Sequence, residues 1–239
     1  MSILPVIIDQ HLENAAFNWL LRDDAVGEPH YNLADLAHLD DRVEANIDGL
    51  RIAGDAGWEI CREAMAYEEP GEIFAAGVLA FESQAPKRMD ALLGAVSEND
   101  ELLRALCSAL GWIDFRRVAE PVSKLLEAGS PIFRRIGLSA CAIHRQDMGT
   151  TLAACVSDSD PQVRASALKA VGGLGRTDLL PALLDGMANE SDEACRFYAA
   201  WSAALLGHRA GVDGLKNLAE TQSVHGRRAC DMAVRRMDH

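Results

Sequence analysis

The residue types that could do chemistry are all present, but their spacing spells no reaction. Seven histidines are scattered along the chain: His11, His30, His38, His144, His208, His225 and His239. None lies in HExxH, and none forms an HxxxH pair with a nearby carboxylate, so no metal-ligand spacing is legible. The six cysteines, Cys61, Cys107, Cys141, Cys155, Cys195 and Cys230, include no CxxC and have no histidine at a spacing that marks a nucleophile. Cys107, Cys141 and Cys195 fall on apolar helix positions, where a free thiol behaves as a small hydrophobe, and reduced thiols in a cytoplasmic protein are expected. His38 beside Asp40 and Asp41 comes nearest to an acid–base cluster, yet the trio reads better as a solvated helix start. There is no GxGxxG, P-loop or GxSxG. Gly172-Gly173-Leu174-Gly175 has no strand before it and reads as close packing followed by a helix end. No catalytic residue, cofactor or metal is expected, and the chain reads as no enzyme.

The chemistry that composition does favour is carboxylate recognition. The net charge of the 239 residues is −13, and it is unevenly spread. Residues 1–101 hold 21 acids against 6 bases, whereas residues 102–239 hold 15 against 17. An acidic surface repels the phosphates of nucleic acid and steers a basic protein towards it. The candidate partner-binding residues are therefore Asp23, Asp24, Glu28, Asp40, Asp41, Glu44, Asp48, Glu68 and Glu69. Tyr31 and Tyr67, with Trp19 and Trp58, are candidate aromatic anchors. The same acids also fit a solvated face that keeps the protein soluble, and the tryptophans also fit a core. Lys87, Arg88, Arg116, Arg117 and Lys124 fall on second helices, which normally line the concave face of a solenoid, so that face is a second place for a partner. No apolar run approaches the ~20 residues that span a bilayer, and the N-terminus lacks a basic segment before its short apolar run.

The elements that must carry these side chains are helices throughout. Residues 3–22 repeat apolar positions at Ile8, Leu12, Ala15, Ala16, Trp19 and Leu20, and residues 33–53 do so at Leu36, Leu39, Val43, Ile47, Leu50 and Ile52. Residues 56–68 follow as a partner helix. From Pro70 the helices become regular pairs: 71–82 and 86–96, 100–111 and 114–127, 131–144 and 147–156, 161–174 and 178–188, 192–206 and 210–220. A last helix, 224–237, has no mate. One arginine recurs in the first helix of successive pairs, at Arg104, Arg134, Arg164, Arg196 and Arg228, with a period of 30 to 32 residues. Pro70, Pro131 and Pro161 occupy first turns, where a missing N–H costs nothing, and Asp100, Asp160 and Asp192 lie at or near N-caps. A fixed period in this range means stacked supersecondary units. The fold expected is an all-α solenoid of antiparallel helix pairs over 70–239, preceded by an acidic helical region over 1–69.

The best copy, Asp160-Pro161-Gln162-Val163-Arg164-Ala165-Ser166-Ala167-Leu168-Lys169-Ala170-Val171-Gly172-Gly173-Leu174-Gly175, resembles the HEAT-like repeats first noted in bilin lyases. That resemblance covers roughly 70–239, and it implies that the recurrent arginine helps to hold neighbouring repeats together. Residues 32–50, from Asn32-Leu33-Ala34-Asp35-Leu36-Ala37-His38-Leu39-Asp40-Asp41 onward, resemble the start of an uncharacterised proteobacterial HEAT-repeat family. Relatives of that family sit in type VI secretion neighbourhoods, where small cytoplasmic proteins neutralise co-encoded toxins. The resemblance implies an immunity or inhibitor protein for a basic toxin domain such as a nuclease, with carboxylates standing in for phosphates. A general scaffold or assembly adaptor would use the same surface. HEAT-like folds also include bilin lyases and alkyl-base DNA glycosylases. A glycosylase needs a basic groove, for which the arginine pairs at 116–117, 134–135, 227–228 and 235–236 are the available cations.

Overall fold

The computed structural model describes residues 5–96, 99–221 and 223–237, with the side chains of 231–237 excepted. Every regular element among the described residues is a helix. The chain divides into two compact units, Met1–Pro121 and Val122–His239. The helix that begins at Pro70 lies in the first unit and packs on the first helix of the chain.

The first unit contains α1 (Pro5–Ala25), α2 (Leu33–Ala53), α3 (Asp55–Ala64), α4 (Pro70–Ser83), α5 (Pro86–Ala95) and α6 (Asp100–Trp112). A single 3₁₀ turn, Met65–Tyr67, extends α3. Local rules account for the ends. Asn32 caps α2 by accepting from the Ala34 and Asp35 N–H groups while the Asp35 carboxylate accepts from the Asn32 N–H, a reciprocal capping box. Asn99, one residue before the aspartate that the sequence suggests, caps α6. Helix α4 is apolar on nearly every side, and from Ile73 to Phe81 every residue is buried. It is the core of the unit, in contact with α1, α3, α5 and α6. Trp19 stacks on Phe74 with ring centroids 5.1 Å apart, and Trp112 meets Phe74 edge-on at 5.4 Å. The polar handles of both tryptophans are satisfied, Trp19 Nε1 donating to Ser108 Oγ at 3.0 Å and Trp112 Nε1 donating to Glu44 Oε2 at 2.5 Å. Leu20, which the periodicity groups with the buried stripe of α1, is turned outward and is 38 % exposed.

Helix α7 (Phe115–Glu127) carries the chain from one unit to the next, and Pro121 stands inside it at the boundary. Proline has no N–H to give the carbonyl four residues back. That carbonyl, of Arg117, accepts instead from Gln84 Nε2 at 3.0 Å. Gln84 ends α4 in the left-handed region (φ 53°).

The second unit continues with α8 (Pro131–Ile143), α9 (Thr150–Cys155), α10 (Pro161–Gly173), α11 (Leu180–Asn189), α12 (Glu193–Leu205), α13 (Arg209–Ala219) and α14 (Val224–Met237). Helix α9 is shorter than the expected 147–156, because Gly149 takes a positive φ of 52° and the chain turns there. First helices stack on first helices, α8 on α10 and α10 on α12, through small residues. A Cβ at Gly172 would lie 2.7 Å from the Ser202 Cα, so the two helices touch backbone to backbone there. The Ser202 hydroxyl, fully buried, donates to the Leu168 carbonyl at 2.6 Å. Gly175 and Gly207 end α10 and α12 with φ of 68° and 80°, the conformation that favours glycine. His208 is the residue just before α13.

The recurrent arginine builds a ladder along the inter-repeat loops. Arg134 Nη1 donates to the carbonyls of Ala128 and Gly129, and its Nε and Nη2 fork onto Asp158 at 2.9 and 3.0 Å. Arg164 repeats the pattern with the carbonyls of Asp158 and Ser159 and a fork onto Glu190 at 2.8 and 2.9 Å. Arg196 then donates to the carbonyls of Glu190 and Ser191. Each acid thus takes one arginine on its side chain and the next on its own carbonyl. Partial burial works to raise the Asp158 carboxyl, and the Arg134 fork and the Asp160 N–H outweigh it and hold it below its ordinary range. The Arg164 fork lowers Glu190 against the same opposing effect of burial.

Candidate functional site

The charge imbalance coincides with the two units. By sequence, residues 1–121 hold 23 acids against 9 bases, a net −14, and residues 122–239 a net +1. The first unit is therefore where a carboxylate site has to be sought.

Helix α2 presents the largest share of it. Leu39, Val43, Ile47 and Leu50 bury one face against α1, which turns Asp41, Glu44 and Asp48 outward. Arg51, on the same helix, gathers the last two: it donates to Glu44 at 2.6 Å and Asp48 at 2.7 Å, and it forks onto Glu82 of α4 at 2.8 and 2.9 Å. Partial burial would lower the Arg51 guanidinium, but bonds to Glu82, Glu44 and Asp48 more than offset this and raise it. Asp40 accepts from Arg22 at 2.9 Å, and Asp23 from Arg104 at 2.8 Å. Glu28 lies 3.7 Å from His30, whose ring tilts against Tyr31 at 4.7 Å.

The candidates thus divide. Asp23, Asp40, Glu44 and Asp48 are joined to arginines of the same unit, and Glu44 also holds the Trp112 indole. Asp24, Asp41, Glu68 and Glu69 are exposed and hold no ion pair among the described residues. Glu68 stands in the left-handed region (φ 54°) just after Tyr67, which is 73 % exposed. Trp19 and Trp58 are core residues, 2 % and 8 % exposed, and Arg88 lies over the Trp58 ring. Their burial takes them out of the set of surface anchors.

The cations named for a concave face are also engaged where their bonds are described. Arg88 pairs with Asp55, Arg116 with Asp114, and Arg117 with Glu82. Of the arginine pairs considered for a duplex, Arg134 is held in the loop ladder, and the side chains of Arg235 and Arg236 lie outside the described residues, as does His239. Among the described residues no group of three His, Cys, Asp or Glu is placed to hold a metal, and no helix is long and apolar enough to cross a membrane. Burial pushes the Cys61 and Cys195 thiols up to about 12 and Cys141 to about 11, away from nucleophilic thiolate chemistry.

Two features were missed by sequence reasoning. The acids of the ladder sit six residues before the next arginine, Asp158 before Arg164 and Glu190 before Arg196, a spacing visible in the chain once the partner is known. The second is the outer face of α1, where Phe17 is 61 % exposed; its helical phase, opposite Ile8, Leu12 and Trp19, was the available signal.

No curated protein matches the chain. Residues 149–234, which lie within the second unit, match the family described as HEAT repeats. The chain is thus an all-α helical-repeat protein whose residues 149–234 are similar to HEAT repeats.

Proposed function

We propose that this chain is a non-enzymatic cytoplasmic binding protein that holds a basic protein domain on the acidic surface of its first unit. The most economical role is that of an immunity or inhibitor protein covering a cationic toxin site. The observation that carries the reading is the net −14 of residues 1–121, where seven of the nine bases are already bonded to acids of the same unit. Among the described residues the acids left without an ion pair, which include Asp24, Asp41, Glu68 and Glu69, outnumber the two remaining bases, Arg42 and Lys87. Helical repeats supply the extended surface such a partner needs. The toxin, its nuclease character and the type VI connection rest on the likeness of residues 32–50 to secretion-linked relatives and of 160–175 to HEAT-like repeats.

The test is affinity capture from the native host at low salt, followed by co-expression of the captured protein with this chain. One stoichiometric basic partner, released by high salt and non-toxic only when this chain is present, is the expected result. Asp41→Lys, Glu68→Lys and Glu69→Lys together should abolish both. A partner that is captured but harmless makes the chain a scaffold or adaptor. Absence of any partner overturns the binding reading, and a shift of duplex DNA at low salt would point to a glycosylase-like role instead.

A further inference from the structure

Helix α1 turns one face to the core and another to solvent, and the solvent face is not polar. Along it run Val6, Gln10, Glu13, Phe17, Leu20 and Asp24, at alternating spacings of four and three, all exposed. Val6 is 74 % and Phe17 61 % exposed. Single exposed apolar residues carry no message. A phenylalanine and a leucine one helical turn apart, between acids on the same stripe, form a recognition pattern, because partners dock on helix faces through anchors spaced three and four apart.

The start of α4 adds charge beside this face. Gly71 presses against Ala16, so close that a Cβ would lie 2.8 Å from the Ala16 side chain, and this brings Glu69 and Glu72 alongside α1. Burial first, then the negative charge of Glu69 and of Glu13, raises the Glu72 carboxyl above its ordinary value. None of Glu13, Glu69 and Glu72 holds an ion pair among the described residues. A cation brought to this place would relieve repulsion that the unit itself leaves standing.

We propose that the outer face of α1 is a docking surface for a basic protein segment with one apolar face, Phe17 and Leu20 entering that face while Glu13, Asp24, Glu69 and Glu72 meet its lysines and arginines. This rests on the reading that the first unit binds a basic protein, and it moves the centre of contact from α2 to α1. A second copy of the chain is a poor occupant, because a two-fold contact centred between Phe17 and Leu20 would set Glu13 of one copy against Asp24 of the other, like charge on like.

The probe is a labelled helical peptide of leucine and lysine with its leucines on one face, compared with a scrambled peptide of the same composition. Binding is read by fluorescence anisotropy at low salt, with far-UV circular dichroism and urea midpoints confirming that each variant folds like the parent. The amphipathic peptide should bind about tenfold more tightly than the scrambled one. Phe17→Ser with Leu20→Ser should remove that preference, Glu13→Gln with Glu69→Gln should weaken binding of both peptides, and Asp213→Lys, at an exposed position of the second unit, should leave the preference intact. If the parent shows no preference, or if the serine variant keeps it, the docking surface on α1 is wrong. Loss on Asp213→Lys would also overturn it, whereas equal binding of both peptides would overturn it while leaving the acidic-surface reading in force. A dimer in sedimentation that the serine variant dissociates would assign the face to self-association and overturn the proposal as well.

Discussion

At the scale of single residues, Arg164 is the most informative side chain in the second unit. It donates to two backbone carbonyls and forks onto a carboxylate that is itself mostly covered, the two side chains being 19 % and 15 % exposed. Removing it leaves Glu190 and the Asp158 and Ser159 carbonyls short of partners. Arg164→Ala should therefore cost about 2 kcal/mol in urea unfolding, and Arg164→Lys should recover only part of that, because an ammonium cannot reproduce the planar fork. Arg116→Ala, whose own side chain is exposed in its pair with Asp114, should leave the midpoint unchanged. The same ladder sets a pH dependence. Asp158 and Glu190 are held below their ordinary values of 3.8 and 4.5, so the unfolded chain takes up protons first as pH falls. Their stabilisation is complete above those values and is lost progressively as pH drops through the lower folded ones. Asp158→Asn with Glu190→Gln should make the urea midpoint flatter with pH across that acid range.

At the scale of elements, close helix contact in the second unit depends on side chains that are missing. Gly172 faces the Ser202 backbone, whereas Gly173, its neighbour in α10, has nothing within 4 Å of where a Cβ would sit. Gly172→Ala should cost about 2 kcal/mol by forcing α10 and α12 apart. Gly173→Ala should stabilise by about 0.5 kcal/mol, since it narrows the unfolded ensemble and meets nothing in the folded one. Thermal melts of the two variants test the pair directly, and equal effects would contradict the packing. Residues 161–174 were legible as a helix from Pro161, Asp160 and the spacing of Val163, Ala167, Ala170 and Val171. Which of two adjacent glycines is the contact was not, because that depends on where a helix distant in sequence lies. Helix α1 shows the same limit: its buried stripe was readable from Ile8 to Trp19, but the outward turn of Leu20 follows from how α2 and α4 sit against it.

For the whole molecule the governing quantity is charge within each compact unit. The first unit carries −14, and most of its arginines are already paired, so added salt screens more repulsion than attraction there. Raising sodium chloride from about 0.05 to about 0.5 M should increase the melting temperature. A decrease would mean that the ion pairs around Arg51, rather than the unpaired acids, dominate the electrostatics. The same screening should weaken capture of a basic partner, so stability and binding should respond to salt with opposite signs.

The sequence by itself determined the all-helical fold, the helix-pair repeat and the arginine that recurs within it, because helix periodicity, proline at first turns and capping side chains are local and survive in one dimension. It also located the excess of negative charge. Only the tertiary structure decided which acids remain unpaired: Asp40, Glu44 and Asp48 face arginines, and Asp23 meets an arginine 81 positions away, while Asp24 and Asp41, their neighbours in sequence, do not. It decided likewise that Trp19 and Trp58 are core and that Phe17 is surface. The physical reason is that burial and ion pairing are set by which helix lies opposite, and α1, α2, α4 and α6 meet through contacts that no local pattern specifies.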